Sequence, residues 1–436
     1  MFDSLLSILE KADDIFWSYI GVYLVLLPGI YLTLKSRFFQ FKVLAKPKSL
    51  FTSLAQVSKN KHDPGINPFK LYFASVGGMI GLGNIVIIVT SVTAGGPGVL
   101  FWLWFSAFAG MIIKYAEIYL GIKYRKSNKK GGFDGGPMFY LKAAFNTNLF
   151  PLIACLLLCI YGIEISQFKI ISDTMASTFQ LDTKLVTGIL LLLVLYASIG
   201  GIRRLANTCS ILMPIFIIMY ITMCLWIIGV NIHKLPETLV IVIKGAFVGH
   251  APLAGFVGST AMMAVHFGIA RAVYSGDIAI GYDSVVQSET KSQHPELQAK
   301  LAIFGQLTDT VICTCSILVV LITGVWSDPL VKEPSAYIIK ALSMHFSHVD
   351  LFMTLLFFAA GYTTIIAYFA VGMKSAKYMH RRIGPRIYIA YAIIAFIATN
   401  YVNQYTPILI MSLSGGLLVM LNIAGIIKLR NDIKFK

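Results

Sequence analysis

The sequence predicts an all-α polytopic membrane protein with about eleven transmembrane helices. Two observations carry this. Of 436 residues, 57% are hydrophobic and 13% charged, against a charged share of roughly 25% in an average soluble domain. Too few polar side chains exist to cover a water-exposed surface of this size. Apolar runs of about 20 residues, the length that crosses a hydrocarbon core about 30 Å thick, also recur along the whole chain. The balance of 36 Lys and Arg against 20 Asp and Glu leaves a net charge of +16. In a soluble chain that balance points to nucleic acid; in a chain set in lipid it reports topology instead, and no nucleic-acid partner is expected.

The runs place spans near 15–34, 67–92, 98–121, 149–179, 185–201, 208–230, 238–274, 300–325, 350–372, 386–402 and 405–427. With the N-terminus outside, the inside segments carry 28 Lys and Arg and the outside segments six, the asymmetry of the positive-inside rule. The expectation is a multi-pass protein of the cell (inner) membrane with a cytoplasmic C-terminus. The stretch Met1–Asp14 is acidic and amphipathic, unlike the basic start of a signal peptide. All six cysteines lie in apolar runs, and Cys313-Thr314-Cys315 lacks the spacing of a zinc site, so packing is their expected role.

Two spans carry too much glycine for smooth helices. The second contains Gly77-Gly78-Met79-Ile80-Gly81-Leu82-Gly83-Asn84, and the seventh runs from Gly245 to Gly258 with His250 and Pro252 inside it. Glycine costs about 1 kcal/mol in a helix interior. Unwound backbone survives in lipid only where it is buried in protein or lines a cavity. The interrupted spans are five apart, as if spans 2–6 and 7–11 were two five-helix repeats of opposite orientation, with a binding site at their breaks. The chain divides accordingly into 1–66 (extra N-terminal span and loop), 67–232 (first repeat) and 233–436 (second repeat). Helix packing is the competing reading, because Gly77-x-x-x-Gly81 also fits a small-residue contact.

Several motifs resemble those of the alanine or glycine:cation symporter family. They are Gly78-Met-Ile-Gly81-Leu-Gly83-Asn84, Ala94-Gly-Gly-Pro-Gly98, Phe101-Trp-Leu-Trp104, Gly110-Met-Ile-Ile-Lys114-Tyr-Ala-Glu117, Gly135-Gly-Pro-Met-Phe-Tyr140, Gly200-Gly-Ile-Arg203-Arg204 and Gly305-Gln-Leu-Thr-Asp309-Thr310. The resemblance implies a LeuT-like fold and sodium-coupled transport of small neutral amino acids, chiefly alanine and glycine. Na+ is the coupling ion, and neither an organic cofactor nor an obligatory protein partner is implied. Gly81-Leu82-Gly83-Asn84 also looks like the broken first core helix of the neurotransmitter:sodium symporters. That likeness implies that the N–H groups of Leu82 and Gly83 hold the substrate carboxylate and that carbonyls near Gly77 and Ile80 face sodium. Helix-end polarity agrees: free N–H groups favour an anion and free carbonyls a cation. By the same likeness, Ala360, Thr363 and Thr364 of the ninth span complete the ion's shell, although threonines also bond within or between helices. Gln167 matches a glutamine that faces the substrate, and Phe247 and Gly255 match residues that wall its pocket. The chain departs from the family where Ala254-Gly255 replaces a glycine pair and where Arg271-Ala-Val-Tyr-Ser275-Gly-Asp277 keeps the arginine, the serine and an acid but not the rest.

Other polar residues have plainer expectations. Lys114 and Glu117, three apart on one helix, suit an intrahelical pair. Lys169 suits snorkelling or a pair with Glu164 or Asp173. Asp309 suits a gate or packing, and His266 a hydrogen-bonded core. No charged ring of a channel, no Walker loop and no catalytic motif occurs, so neither channel nor enzyme is the leading expectation. The alternative within the fold is a proton-coupled transporter or one for another small metabolite.

Overall fold

The structure is a computed structural model that describes residues 2–59, 64–128, 131–198, 200–249, 260–331, 334–403 and 405–435. Helix lies in each of the eleven stretches the sequence marks. The helices are α1 (Leu6–Lys35), α2 (Pro68–Met79), α3 (Ile87–Gly95), α4 (Val99–Lys123), α5 (Leu149–Tyr161), α6 (Ile165–Phe179), α7 (Thr183–Ser198), α8 (Gly201–Val230), α9 (Leu235–Phe247), α10 (Ala261–Gly276), α11 (Pro295–Thr323), α12 (Val349–Met379), α13 (Gly384–Ala398) and α14 (Tyr405–Lys428). Among the described residues, seven passages are long and apolar enough to cross a membrane unaided, and an eighth is the pair around the first break. The predicted spans at 185–201 and 386–402 hold helices of 16 and 15 residues. Shorter helices join the long ones, and a two-residue-per-strand hairpin pairs Lys126–Ser127 with Phe133–Asp134.

The first break forms as its sequence dictates. Pro68 sits at the start of α2, where no N–H partner is needed, and the Asn67 side chain accepts from Phe69 N at 2.9 Å. The helix stops at Ile80, whose backbone turns extended (φ −91°, ψ 96°) among four glycines. It resumes through a 3-10 turn at Leu82–Asn84, bent by 59°.

A break that faces it lies at residues 277–281. Glycines on both sides of the contact mark the path of the chain beside α4. A Cβ on Gly268 would meet Trp102 at 2.6 Å, one on Gly110 would meet Ile278 at 2.2 Å, and one on Gly121 would meet Ser284 at 2.7 Å. Residues 261–287 are therefore one passage along the whole of α4, interrupted at 277–281. There Asp277 (φ 49°), Ala279 (φ 60°) and Gly281 (φ 103°) are left-handed. The predicted break at Gly245–Gly258 overlaps residues 250–259, which lie outside the described residues, and α9 before it ends beside the start of α4, with Ala246 O accepting from Trp102 Nε1 at 3.0 Å. Beyond Gly281, the 277–281 break is held by tertiary bonds. Asn422 Nδ2 donates to Ala279 O at 2.8 Å, and the Tyr368 hydroxyl bonds Asp277. Arg271, sorted by sequence to an inside loop, belongs to this passage too.

The two breaks touch. Tyr282 OH donates to Ala74 O at 2.8 Å, and a Cβ on Gly78 would lie 2.0 Å from that hydroxyl. Gly78→Ala is expected to cost about 1–3 kcal/mol by overpacking. An unchanged thermal midpoint in detergent would contradict this contact.

Candidate substrate and cation site

The middle of α12 meets the end of α2. Thr364 Oγ1 donates toward Gly77 O at 3.2 Å and Ala360 O at 3.1 Å, and Thr363 Oγ1 donates to Ala360 O at 2.8 Å. Thr363 and Gly77 also share Met213 as a neighbour: the Thr363 hydroxyl lies 3.6 Å from its sulfur, and a Cβ on Gly77 would meet its Cγ at 3.1 Å. Ile80 follows one turn after Gly77 and is fully buried. Gly77, Ala360, Thr363 and Thr364 thus gather at one helix crossing as carbonyl and hydroxyl oxygens, the donors a hard cation takes.

The next residues bond inward. Gly81 N donates to Asn84 Oδ1 at 3.1 Å, and Leu82 N donates to Gln167 Oε1 at 2.9 Å. A Cβ on Gly81 would stand 2.6 Å from Thr364 Oγ1 and 2.9 Å from Gln167 Nε2, so glycine alone lets the break approach both. A Cβ on Gly83 would meet nothing within 4 Å, because Gly83 lines a cavity. Asn84, Gln167 and Thr364 line it too, and its volume is about 30 Å³. The N–H of Leu82, expected to hold a carboxylate, is here satisfied by the amide oxygen of Gln167, a neutral group of the same shape.

One expected wall residue, Phe247, is not brought to this cavity. Phe247 is 57% exposed and packs on Phe101 and Trp102, with ring centroids 5.0 and 6.0 Å away. Its helix ends on the flank of α4, far from the first break. Gly255 lies outside the described residues. The cavity also has a wall that the sequence did not indicate: Glu164, Arg271, Tyr274, Ser275, Asp277 and Tyr368. The signal was present in Arg271, Ser275 and Asp277, the three positions at which the divergent motif keeps its chemistry. Glu164 sits at the joint between α5 and α6 in a left-handed conformation (φ 53°).

Behind the cavity, buried polar groups tie the two breaks together. Lys114 does not pair with Glu117. Its ammonium reaches Asp283 Oδ2 at 2.7 Å and Gly276 O at 2.6 Å and touches the Met79 sulfur. The other Asp283 oxygen takes the Ser75 hydroxyl. Asp309 accepts from Asn84 Nδ2, from Gln306 Nε2 at 3.1 Å and from Ser275 Oγ at 3.3 Å. Asn84 is thereby fixed from both ends of its amide. Lys169 pairs with Asp173 at 2.8 Å, and His266 Nδ1 with Ser18 Oγ at 2.8 Å.

A family model described as the sodium:alanine symporter family matches residues 2–435. An uncharacterized transporter of Haemophilus influenzae is 31% identical over 98% of this chain and 94% of its own length. The sodium/alanine symporter AgcS of Methanococcus maripaludis is 29% identical over 89% of this chain and 87% of its own. Among solved structures, a substrate-bound, outward-open Na+-coupled sialic acid symporter aligns with a TM-score of 0.57 at 13% identity, covering 90% of this chain and 86% of that one. That likeness is one of fold.

Proposed function

We propose that this chain, which belongs to the sodium:alanine symporter family, imports a small net-neutral amino acid, alanine or glycine, by alternating access. Membership makes it a sodium-coupled amino-acid transporter of a membrane and not an enzyme; the substrate and the site are our reading. The observation that carries it is the meeting of Gly81, Gln167 and Thr364 at the first break. One glycine links the cation oxygens to the N–H groups that would take a carboxylate.

On this reading the substrate carboxylate displaces the Gln167 amide from Leu82 N and settles against Leu82 and Gly83. The freed amide, with a donor and an acceptor, turns to the zwitterion. A cation among Gly77, Ile80, Ala360, Thr363 and Thr364 orders the break from its other side and raises substrate affinity, and the coupling is reciprocal. The passages at 67–232 and 233–436 act as the two repeats, with the N-terminus outside and the C-terminus in the cytoplasm of a cell whose inner membrane holds the protein.

Uptake by proteoliposomes tests this. Labelled alanine is expected to accumulate under an inward sodium gradient, with unlabelled glycine competing and bulky amino acids not. Equal accumulation with and without the gradient would sink the proposal.

A further inference from the structure

We propose that the groove lined by Lys42, Lys46 and Lys300 binds the headgroup of an anionic phospholipid. The inference uses the chain's place in a bilayer and makes no use of its substrate or coupling ion.

The groove lies between the two short helices that follow α1, Phe39–Leu44 and Pro47–Lys59, the first two turns of α11 and the C-terminal segment. Its volume is about 280 Å³. Three lysines line it, and among the described residues no acid does. Lys42 and Lys46 are exposed and Lys300 is half-buried. None of the three ammonium groups has an ion-pair partner among the described residues. Glu296, one turn before Lys300 on α11, lies 3.9 Å from His294 Nδ1. Three like charges around one groove repel one another, and an anion between them relieves that repulsion.

The floor is apolar and held in place. Phe39 and Leu50 are each 5% exposed. Phe435 packs edge-on against Phe39, with ring centroids 5.7 Å apart, and stacks on Tyr115 at 5.5 Å. The backbone beside it is pinned, because Tyr115 OH donates to Lys434 O at 2.6 Å and Lys35 Nζ donates to Arg430 O at 2.9 Å. The two serines of the groove spend their protons on their own helix: Ser49 Oγ donates to Lys46 O and Ser53 Oγ to Ser49 O, both at 3.0 Å. Recognition of the anion is therefore left to the lysines.

The surroundings select a lipid over a soluble anion. The groove opens just after α1 ends at Lys35, where a span leaves the hydrocarbon. Helix Pro47–Lys59 turns Leu50 and Leu54 inward, and the neighbouring rings of Phe38, Phe41 and Phe51 are 47%, 56% and 39% exposed. Aromatic rings beside lysines at the end of a span are the pattern of a membrane interface, the level at which basic pockets meet lipid phosphates. A zwitterionic headgroup brings its own cation, which the three lysines oppose. Phosphatidylglycerol brings only the negative charge.

Binding of short-chain lipids to the purified protein in nonionic detergent tests this, at one fixed ionic strength because salt screens such contacts. Dioctanoyl phosphatidylglycerol is expected to bind and to raise the thermal midpoint, whereas dioctanoyl phosphatidylcholine and inorganic phosphate at the same concentration are not. The triple variant Lys42→Gln/Lys46→Gln/Lys300→Gln should bind phosphatidylglycerol on the order of a hundredfold more weakly, and Lys46→Gln alone roughly fivefold. Lys48→Gln/Lys59→Gln removes two lysines of the same helix that do not line the groove, and it should bind as the wild type does. Equal binding of the two lipids by the wild type would overturn the proposal, as would phosphate that binds as tightly as phosphatidylglycerol. Wild-type affinity in K46Q and the triple variant would overturn it too. So would an equal loss in K48Q/K59Q, which would leave only diffuse surface charge.

Discussion

Lys114→Met is expected to lower stability by about 3–5 kcal/mol, the usual cost of removing one partner of a buried ion pair. Lys114 is 1% and Asp283 0% exposed, and the pair lies 2.7 Å apart. The loss is more than a Coulomb term. The ammonium also takes up Gly276 O, a carbonyl freed where α10 ends, and lies on Met79, where α2 ends. One side chain on α4 therefore joins both broken helices. Methionine would fill the volume and leave Asp283 charged, buried and bonded to Ser75 alone. The double variant Lys114→Met/Asp283→Leu removes the stranded charge and should recover most of the loss, because an apolar pair often replaces a buried ion pair without cost. Thermal midpoints in detergent for the wild type and both variants check this. A single variant as stable as the wild type would show that the pair does not join the breaks.

Thr364→Val should weaken the sodium dependence of transport by roughly tenfold to a hundredfold, since a hydrogen-bonding group that serves a charge contributes about 1.5–3 kcal/mol. Valine keeps the shape and removes the oxygen nearest to Gly77 O on the α12 side. The half-saturating sodium concentration for alanine uptake is the readout, and uptake should return at high sodium because the substrate groups of Leu82, Gly83 and Gln167 are untouched. Thr363→Val provides the internal comparison. Its hydroxyl bonds Ala360 O and Ala359 O within its own helix, so a smaller effect is expected from it. An unchanged sodium dependence in T364V would remove Thr364 from the cation site.

The first break is readable in the sequence because glycine has a local signature there: Gly77, Gly78 and Gly81 mark backbone that must approach other groups closely, and Gly83 opens on the cavity. Thr363 and Thr364 are readable only once paired with that break, since threonine in an apolar helix has many ordinary uses. The second break is different. Asp277 and Ala279 have no local reason to be left-handed; Tyr368 and Asn422, about 90 and 140 residues away in the chain, hold them so. Such a break is a tertiary fact, whereas the glycines and proline of Gly245–Gly258 are a local signal, and residues 250–259 of that stretch lie outside the described residues. The same distance hid the partner of Lys114. Glu117 is three residues away and satisfies a helical rule, whereas Asp283 arrives only when residues 261–287 lie along α4.

Alanine binding to the purified protein, measured with and without sodium, tests most directly the claim that one glycine hinge joins cation and substrate. Saturating sodium should tighten binding at least tenfold, alanine should tighten sodium binding by the same factor, and in Thr364→Val the sodium concentration that brings the gain should rise by roughly tenfold to a hundredfold. Alanine affinity that is the same in sodium and in a sodium-free buffer of equal ionic strength would contradict the account.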